Sequence, residues 1–320
     1  MKFFVRIFIL TIVILAANGA FQNANASTAV FKIPADRAET FQDIQVSIRG
    51  EGRPLLMVPG LNSSGAVWNE TCVTLQALGM ACHIMQLPGF AGTPSTTKEA
   101  AKDKFLATMR DNLLDYIDAK KLQNPIIIGH SLGGEVALQM AIKAPTKLAR
   151  LIIVDSLPFF PAATAPTATA ATAKPMAEGM KAGMMAQPTE TYNKGLQANL
   201  RGMTLDAKRL ETLVKWGLSS DRTTTAQAMY ELFTTDLRDD LAKITQPTLV
   251  LGAWAAYAQY GSTKESVRKT FTDQYANLKG VQIEMSEAGY HFLMWDDPQW
   301  LYAQVKAFIT PQIDTTKPKS

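Results

Sequence analysis

An α/β fold, a sheet layered by helices, is what this chain predicts. Short apolar runs alternate with amphipathic stretches, the pattern of strands buried between covering helices. Two of those runs end in Pro-Gly turns, Pro59-Gly60 and Pro88-Gly89. A third leads into Gly129-His130-Ser131-Leu132-Gly133 and then a helix-forming stretch.

Taken in order, Asp43–Ile48 alternates as an antiparallel edge strand does. Pro54–Val58 reads as a buried strand, Val67–Leu78 as a helix and His83–Leu87 as a strand. Lys98–Lys120 is a helix, followed by the strand Pro125–Ile128, the helix from Gly134 to Ala141 and the strand Leu151–Val154. Pro247–Gly252 and Val281–Met285 are the last two strands. Pro298–Ile309 closes the fold as a helix, with Asp297 as its expected cap and Pro298 at its first position.

The pattern changes between Leu157 and about Thr235. Pro158–Ala173 is rich in Ala, Thr and Pro, and the rest is helical without clear strands. The expected organisation is a core at 27–156 and 236–320 with a helical cap inserted at 157–235. Met176, Met180, Met184, Met185 and Met203 lie in that cap. They serve either ordinary helix packing or an apolar pocket, since methionine adapts its shape to apolar ligands.

Residues 1–26 read as a signal peptide. Lys2 and Arg6 precede the apolar run Ile7–Ala17, and Ala24-Asn25-Ala26 is a small-x-small cleavage site. The apolar run is short for a membrane span, so a retained anchor is the lesser alternative. Cleavage would give a periplasmic or secreted protein starting at Ser27, with no stable membrane span. It would lower the formal charge from +4 to about +2. Lys and Arg are scattered rather than clustered, which argues against nucleic acid as a partner. Cys72 and Cys82 are the only cysteines. An oxidising compartment would allow a disulfide between them, and two buried free thiols are the alternative.

The chemistry starts from Ser131. A sharp strand-to-helix turn needs small residues two before and two after it, here Gly129 and Gly133, and lifts the hydroxyl above the sheet. A serine hydroxyl needs a base. Of three histidines, His83 begins a strand and reads as structural. His130 adjoins the serine but points elsewhere on such a turn, as a packing or supporting residue. His291 follows the last strand, where the base belongs in the order serine, acid, histidine. The oxyanion needs two fixed N–H donors. Leu132, after the nucleophile, supplies one; Leu61, in the loop after Val58, supplies the other.

Pro59-Gly60-Leu61, Gly129–Gly133, Leu151–Asp155, Pro247–Gly252 and Gly289–Phe292 together resemble an α/β-hydrolase of the esterase and lipase type. The resemblance covers essentially the whole mature chain. It implies an eight-stranded, mostly parallel sheet flanked by helices, an inserted cap and a Ser–His–acid triad. Where the family often has His-Gly in the oxyanion loop, this chain has Pro59-Gly60, which keeps the backbone donor.

The acid departs further. In most members it follows the strand after the cap, but Thr248–Leu251 is followed by no carboxylate before Glu265. A second arrangement of this fold places it after the strand beside the nucleophile strand, which here is Asp155. Such a carboxylate would orient His291 and stabilise its imidazolium. Asp155 is favoured, with Glu265, Glu287 and Asp296 as alternatives. Trp254, Tyr257 and Tyr260 fill the vacated stretch, either walling a pocket or packing core against cap.

The expected function is hydrolysis of a small-molecule carboxylic ester by Ser131, His291 and Asp155 through an acyl-enzyme. No metal is implied, because three scattered histidines give no ligand spacing. No nucleotide or flavin fingerprint appears, so no cofactor is expected. The same groups serve amide, lactone, thioester or carbon–carbon cleavage and perhydrolysis, and a ligand-binding protein with little turnover is the alternative of a different class.

Overall fold

The computed structural model describes residues 36–97 and 102–310. The expected signal peptide, 1–26, and residues 98–101 of the expected second helix lie outside them. Eight strands form one sheet: β1 (Arg37–Phe41), β2 (Ile44–Arg49), β3 (Arg53–Val58), β4 (Met80–Gln86), β5 (Ile126–His130), β6 (Arg150–Val154), β7 (Thr248–Gly252) and β8 (Gln282–Met285). Their order across the sheet is β1-β2-β4-β3-β5-β6-β7-β8. β1, β2 and β4 pair antiparallel, and all later pairs are parallel.

Alternate side chains of the central strands enter opposite cores. Leu56, Val58, Ile127, Leu151, Ile153 and Val250 pack with α2 (Phe105–Ala119), α3 (Leu132–Lys143) and α8 (Lys264–Gln274). Leu55, Met57, Ile126, Ile128, Ile152 and Val154 face the other way, onto α1 (Asn69–Gln76), the short α9 (Leu293–Asp296) and α10 (Pro298–Ile309). A strand covered on both faces has no polar side, which is why β5 opens on three consecutive isoleucines, Ile126–Ile128.

Between β6 and β7 the chain forms α4 (Ala170–Ala186), α5 (Thr189–Leu200), α6 (Ala207–Leu218) and α7 (Arg222–Thr234). α4 packs on α7 through Ala177, Met229 and Phe233. Two arginines hold its ends. Arg238 donates to the carbonyls of Pro166 and Ala168, and Arg222 to those of Met184 and Gln187.

Several expectations are corrected. The segment read as the edge strand is second in the sheet; the edge is β1, whose Arg-Ala-Glu-Thr-Phe sequence shows little apolar alternation because most of it faces solvent. Gln42 and Asp43, both at positive φ (46° and 71°), turn the chain from β1 into β2. The expected helix 67–78 starts as a 3-10 turn at Gly65–Trp68 and is α-helical only over α1.

The described part of the expected helix 98–120 begins at Phe105. There the Glu231 carboxylate, on α7, accepts the Phe105 and Leu106 amides at 2.6 and 2.8 Å. Pro298 does occupy the first position of α10, but Asp297 does not cap it; its carboxylate accepts a bond from Ser286 Oγ at 2.6 Å. Cys72 and Cys82 are buried free thiols, not a disulfide. Cys82 Sγ donates to the Cys72 carbonyl and Cys72 Sγ to Gln76. Contact with Cys72 and burial push the Cys82 thiol up, so it stays protonated and packs as a small apolar group.

Candidate active site

Ser131 sits between β5 and α3 at φ 52° and ψ −120°, a strained conformation for a residue with a side chain. The glycines around it are steric necessities. A Cβ at Gly129 would lie 2.2 Å from the Gly133 carbonyl oxygen, and one at Gly133 would lie 2.4 Å from that of Val58. The Ser131 amide donates to Val154 O at 2.9 Å, tying the turn to the end of β6. Leu132 opens α3, so its N–H has no carbonyl of its own helix behind it.

The loop after β3 lies against this turn. A Cβ at Gly60 would come within 3.0 Å of His130 Nδ1 and 3.1 Å of Ser131 Cβ. Among the described residues the Leu61 amide has no hydrogen-bond partner. Asn62, at φ 56°, accepts a 2.6 Å bond from the Thr225 hydroxyl and so joins this loop to α7.

Asp155 follows β6 at φ 43° and is 8% exposed. Its amide donates to Leu251 O, its Oδ1 accepts the Ala253 amide at 2.9 Å, and its Oδ2 meets His291 Nδ1 at 2.6 Å. A carboxylate bonded on both oxygens has one orientation. His291 lies in the loop after β8, and its flanking backbone is pinned on both sides. Tyr290 N donates to Asp296 Oδ2 at 3.2 Å and Phe292 N to Met203 O at 3.3 Å. Asp296 also accepts from Thr204 Oγ1 and Leu205 N, so it braces the loop against the stretch between α5 and α6. Burial pushes its carboxyl up.

The residues weighed as acids therefore separate. Asp155 reaches His291; Asp296 braces its loop; Glu287 pairs with Lys264 at the surface; Glu265 lies in the first turn of α8. Of the aromatic residues after β7, Trp254 packs against the core and Tyr260 is exposed. Burial and the Asp155 charge push the Tyr257 hydroxyl up. His83 is structural, as expected: it is buried, shares a 2.8 Å bond with the Tyr116 hydroxyl, and burial lowers it to about 4.

His130 is fully buried. Its Nε2 lies 2.9 Å from the His291 carbonyl, and its ring sits 4.6 Å from that of His291 and 4.7 Å from that of Phe292. Burial, then the neighbouring His291, drives its pKa well down, so the ring is neutral. Sequence reasoning did not find the Ala253 amide, Asn62 with Thr225, or the brace from Asp296. Backbone donors carry no residue signature, and the other two depend on distant chain segments.

Sheet order, the serine turn and the carboxylate–imidazole contact define a hydrolase of the α/β type. A sequence profile described as the alpha/beta hydrolase family matches residues 55–304, and the chain belongs to that family. It is similar to the pimeloyl-[acyl-carrier protein] methyl ester esterase of Vibrio campbellii, 35% identical over 113 residues, which are 35% of this chain and 41% of that protein. The match thus spans about two fifths of that relative. The enzyme of the same name from Vibrio atlanticus is 28% identical over 215 residues, 64% of this chain and 76% of its own length. Among solved structures, an esterase from Exiguobacterium antarcticum superposes with a TM-score of 0.67 at 18% identity, covering 83% of this chain and 94% of that one.

Proposed function

We propose that this protein hydrolyses small carboxylic esters, with Ser131 as nucleophile, His291 as base and Asp155 as acid. The observation that carries the reading is the 2.6 Å contact from His291 Nδ1 to an Asp155 carboxylate fixed by the Ala253 amide. A proton held on Nδ1 by the carboxylate leaves the Nε2 lone pair free. Nε2 takes the Ser131 proton as Oγ attacks the ester carbonyl carbon. The resulting oxyanion is received by the Leu61 and Leu132 N–H groups. Collapse breaks the bond to the alcohol oxygen, which leaves with the proton from Nε2. Water, deprotonated by the same nitrogen, then releases the acid from the acyl-enzyme.

Leu61, Phe160, Met180, Met184 and Tyr230, all only partly buried, pack against one apolar cluster of Ala177, Met229 and Phe233. This favours an apolar acyl group next to the oxyanion loop. On this reading residues 157–235 act as a cap over the core. The N-terminal segment supports export to the periplasm or beyond.

Labelling by a fluorophosphonate should modify Ser131 and be lost in Ser131→Ala. A nitrophenyl ester series should show turnover rising from acetyl to longer acyl chains. No labelling and no turnover at neutral to mildly alkaline pH would overturn the esterase reading.

A further inference from the structure

We infer that His130 is a positioning residue that sets the proposed base by donating from its Nε2 to the backbone carbonyl of His291. The inference rests on reading His291 as the base. A carbonyl oxygen only accepts, so at 2.9 Å the hydrogen lies on His130 Nε2. In the neutral ring Nδ1 is then bare. It is buried without a partner and faces the space that a Gly60 side chain would occupy.

The ring therefore stands between two loops. On one side is Gly60, beside the Leu61 donor; on the other are the His291 carbonyl and the His291 and Phe292 rings. Its own backbone runs directly into Ser131. One side chain thus spaces the nucleophile turn, the oxyanion loop and the base loop. The base is held at both ends: Asp155 fixes its ring and His130 fixes its carbonyl. A displacement of about 1 Å in such an arrangement costs on the order of 100-fold in rate.

Three forms of the protein test this: wild type, His130→Leu, which removes the donor, and His130→Gln, whose amide nitrogen reaches about as far as Nε2. The readouts are kcat and KM on nitrophenyl butyrate, and the far-downfield proton resonance of the His291–Asp155 hydrogen bond. The Leu variant should lose about 10- to 100-fold in kcat with KM changed less than about threefold. It should also lose or broaden the resonance, and Gln should restore most of both.

Wild-type kcat and resonance in the Leu variant would overturn the inference, as would a Gln variant as impaired as Leu. If the Leu variant does not fold, the Gln variant decides: both signals kept supports the donor role, both lost removes it. A wild type inert on esters would sink the esterase reading alone. The resonance comparison would then decide the role of His130 by itself.

Discussion

β6 and β7 are parallel neighbours, paired from Leu151↔Thr248 to Val154↔Leu251, yet their C-terminal ends do opposite work. β6 ends in a carboxylate, Asp155, turned by its positive φ towards His291. β7 ends in Gly252-Ala253 and a 3-10 turn, Ala255–Tyr260, that carries no charge. What β7 contributes is the Ala253 N–H, donated to the very carboxylate its own end lacks. The strand end that lacks a carboxylate thus supports the one at the end of its neighbour.

The largest expected effect breaks that comparison outright. Asp155→Asn keeps the size of the side chain and an oxygen for the Ala253 amide, but offers an NH₂ where Oδ2 faces His291. The imidazole would carry its proton on Nε2 instead, the wrong tautomer for a base. Turnover of a nitrophenyl ester should fall on the order of 10⁴-fold with the circular dichroism spectrum unchanged. Near-normal turnover would move the acid elsewhere. Ala253→Pro sharpens the same comparison from the other strand, because proline has no N–H to give Asp155. A hydrogen bond to a charged group contributes about 1.5–3 kcal/mol, so a loss of roughly 10- to 100-fold is expected. In the Asp155→Asn background the same change should cost far less. Equal losses in both backgrounds would show that Ala253 does not act through Asp155.

The turn at Ser131 was legible because glycines are forced there by contacts within a few residues, so the sequence itself carries the constraint. The placing of Asp155 was legible as a carboxylate at the end of the strand beside β5, once no carboxylate followed β7. β1 was not legible, since an edge strand facing water has no apolar alternation to show. The start of α2 was hidden for another reason. Its cap is Glu231, on α7, and no local pattern signals a partner so far along the chain. Asp297 misled because a carboxylate before a Pro-led helix suits a cap, while tertiary contact gave it to Ser286. The pairing of the only two cysteines rested on an expected oxidising compartment, but the buried thiols bond to Gln76 and to a backbone carbonyl.

Glu135 is the counter-case to Asp155, a buried carboxyl that among the described residues has neither an imidazole nor a backbone donor beside it. It lies one turn into α3, 1% exposed, with Gln139 Nε2 at 3.4 Å as its side-chain partner. Burial, reinforced by the charge of Glu231, raises its pKa well above the ordinary 4.5. Above pH 4.5 the unfolded chain releases this proton while the folded chain keeps it, so the folded state binds more protons and stability falls as pH rises. The penalty accumulates from about pH 4.5 up to the raised folded value. Glu135→Gln has the same shape and no proton to lose. It should match wild type at pH 4 and be the more stable form at pH 8, with a higher Tm. Melting curves of wild type and Glu135→Gln across this range decide the matter: an advantage of the variant that does not grow with pH would mean the carboxyl is not held protonated in the fold.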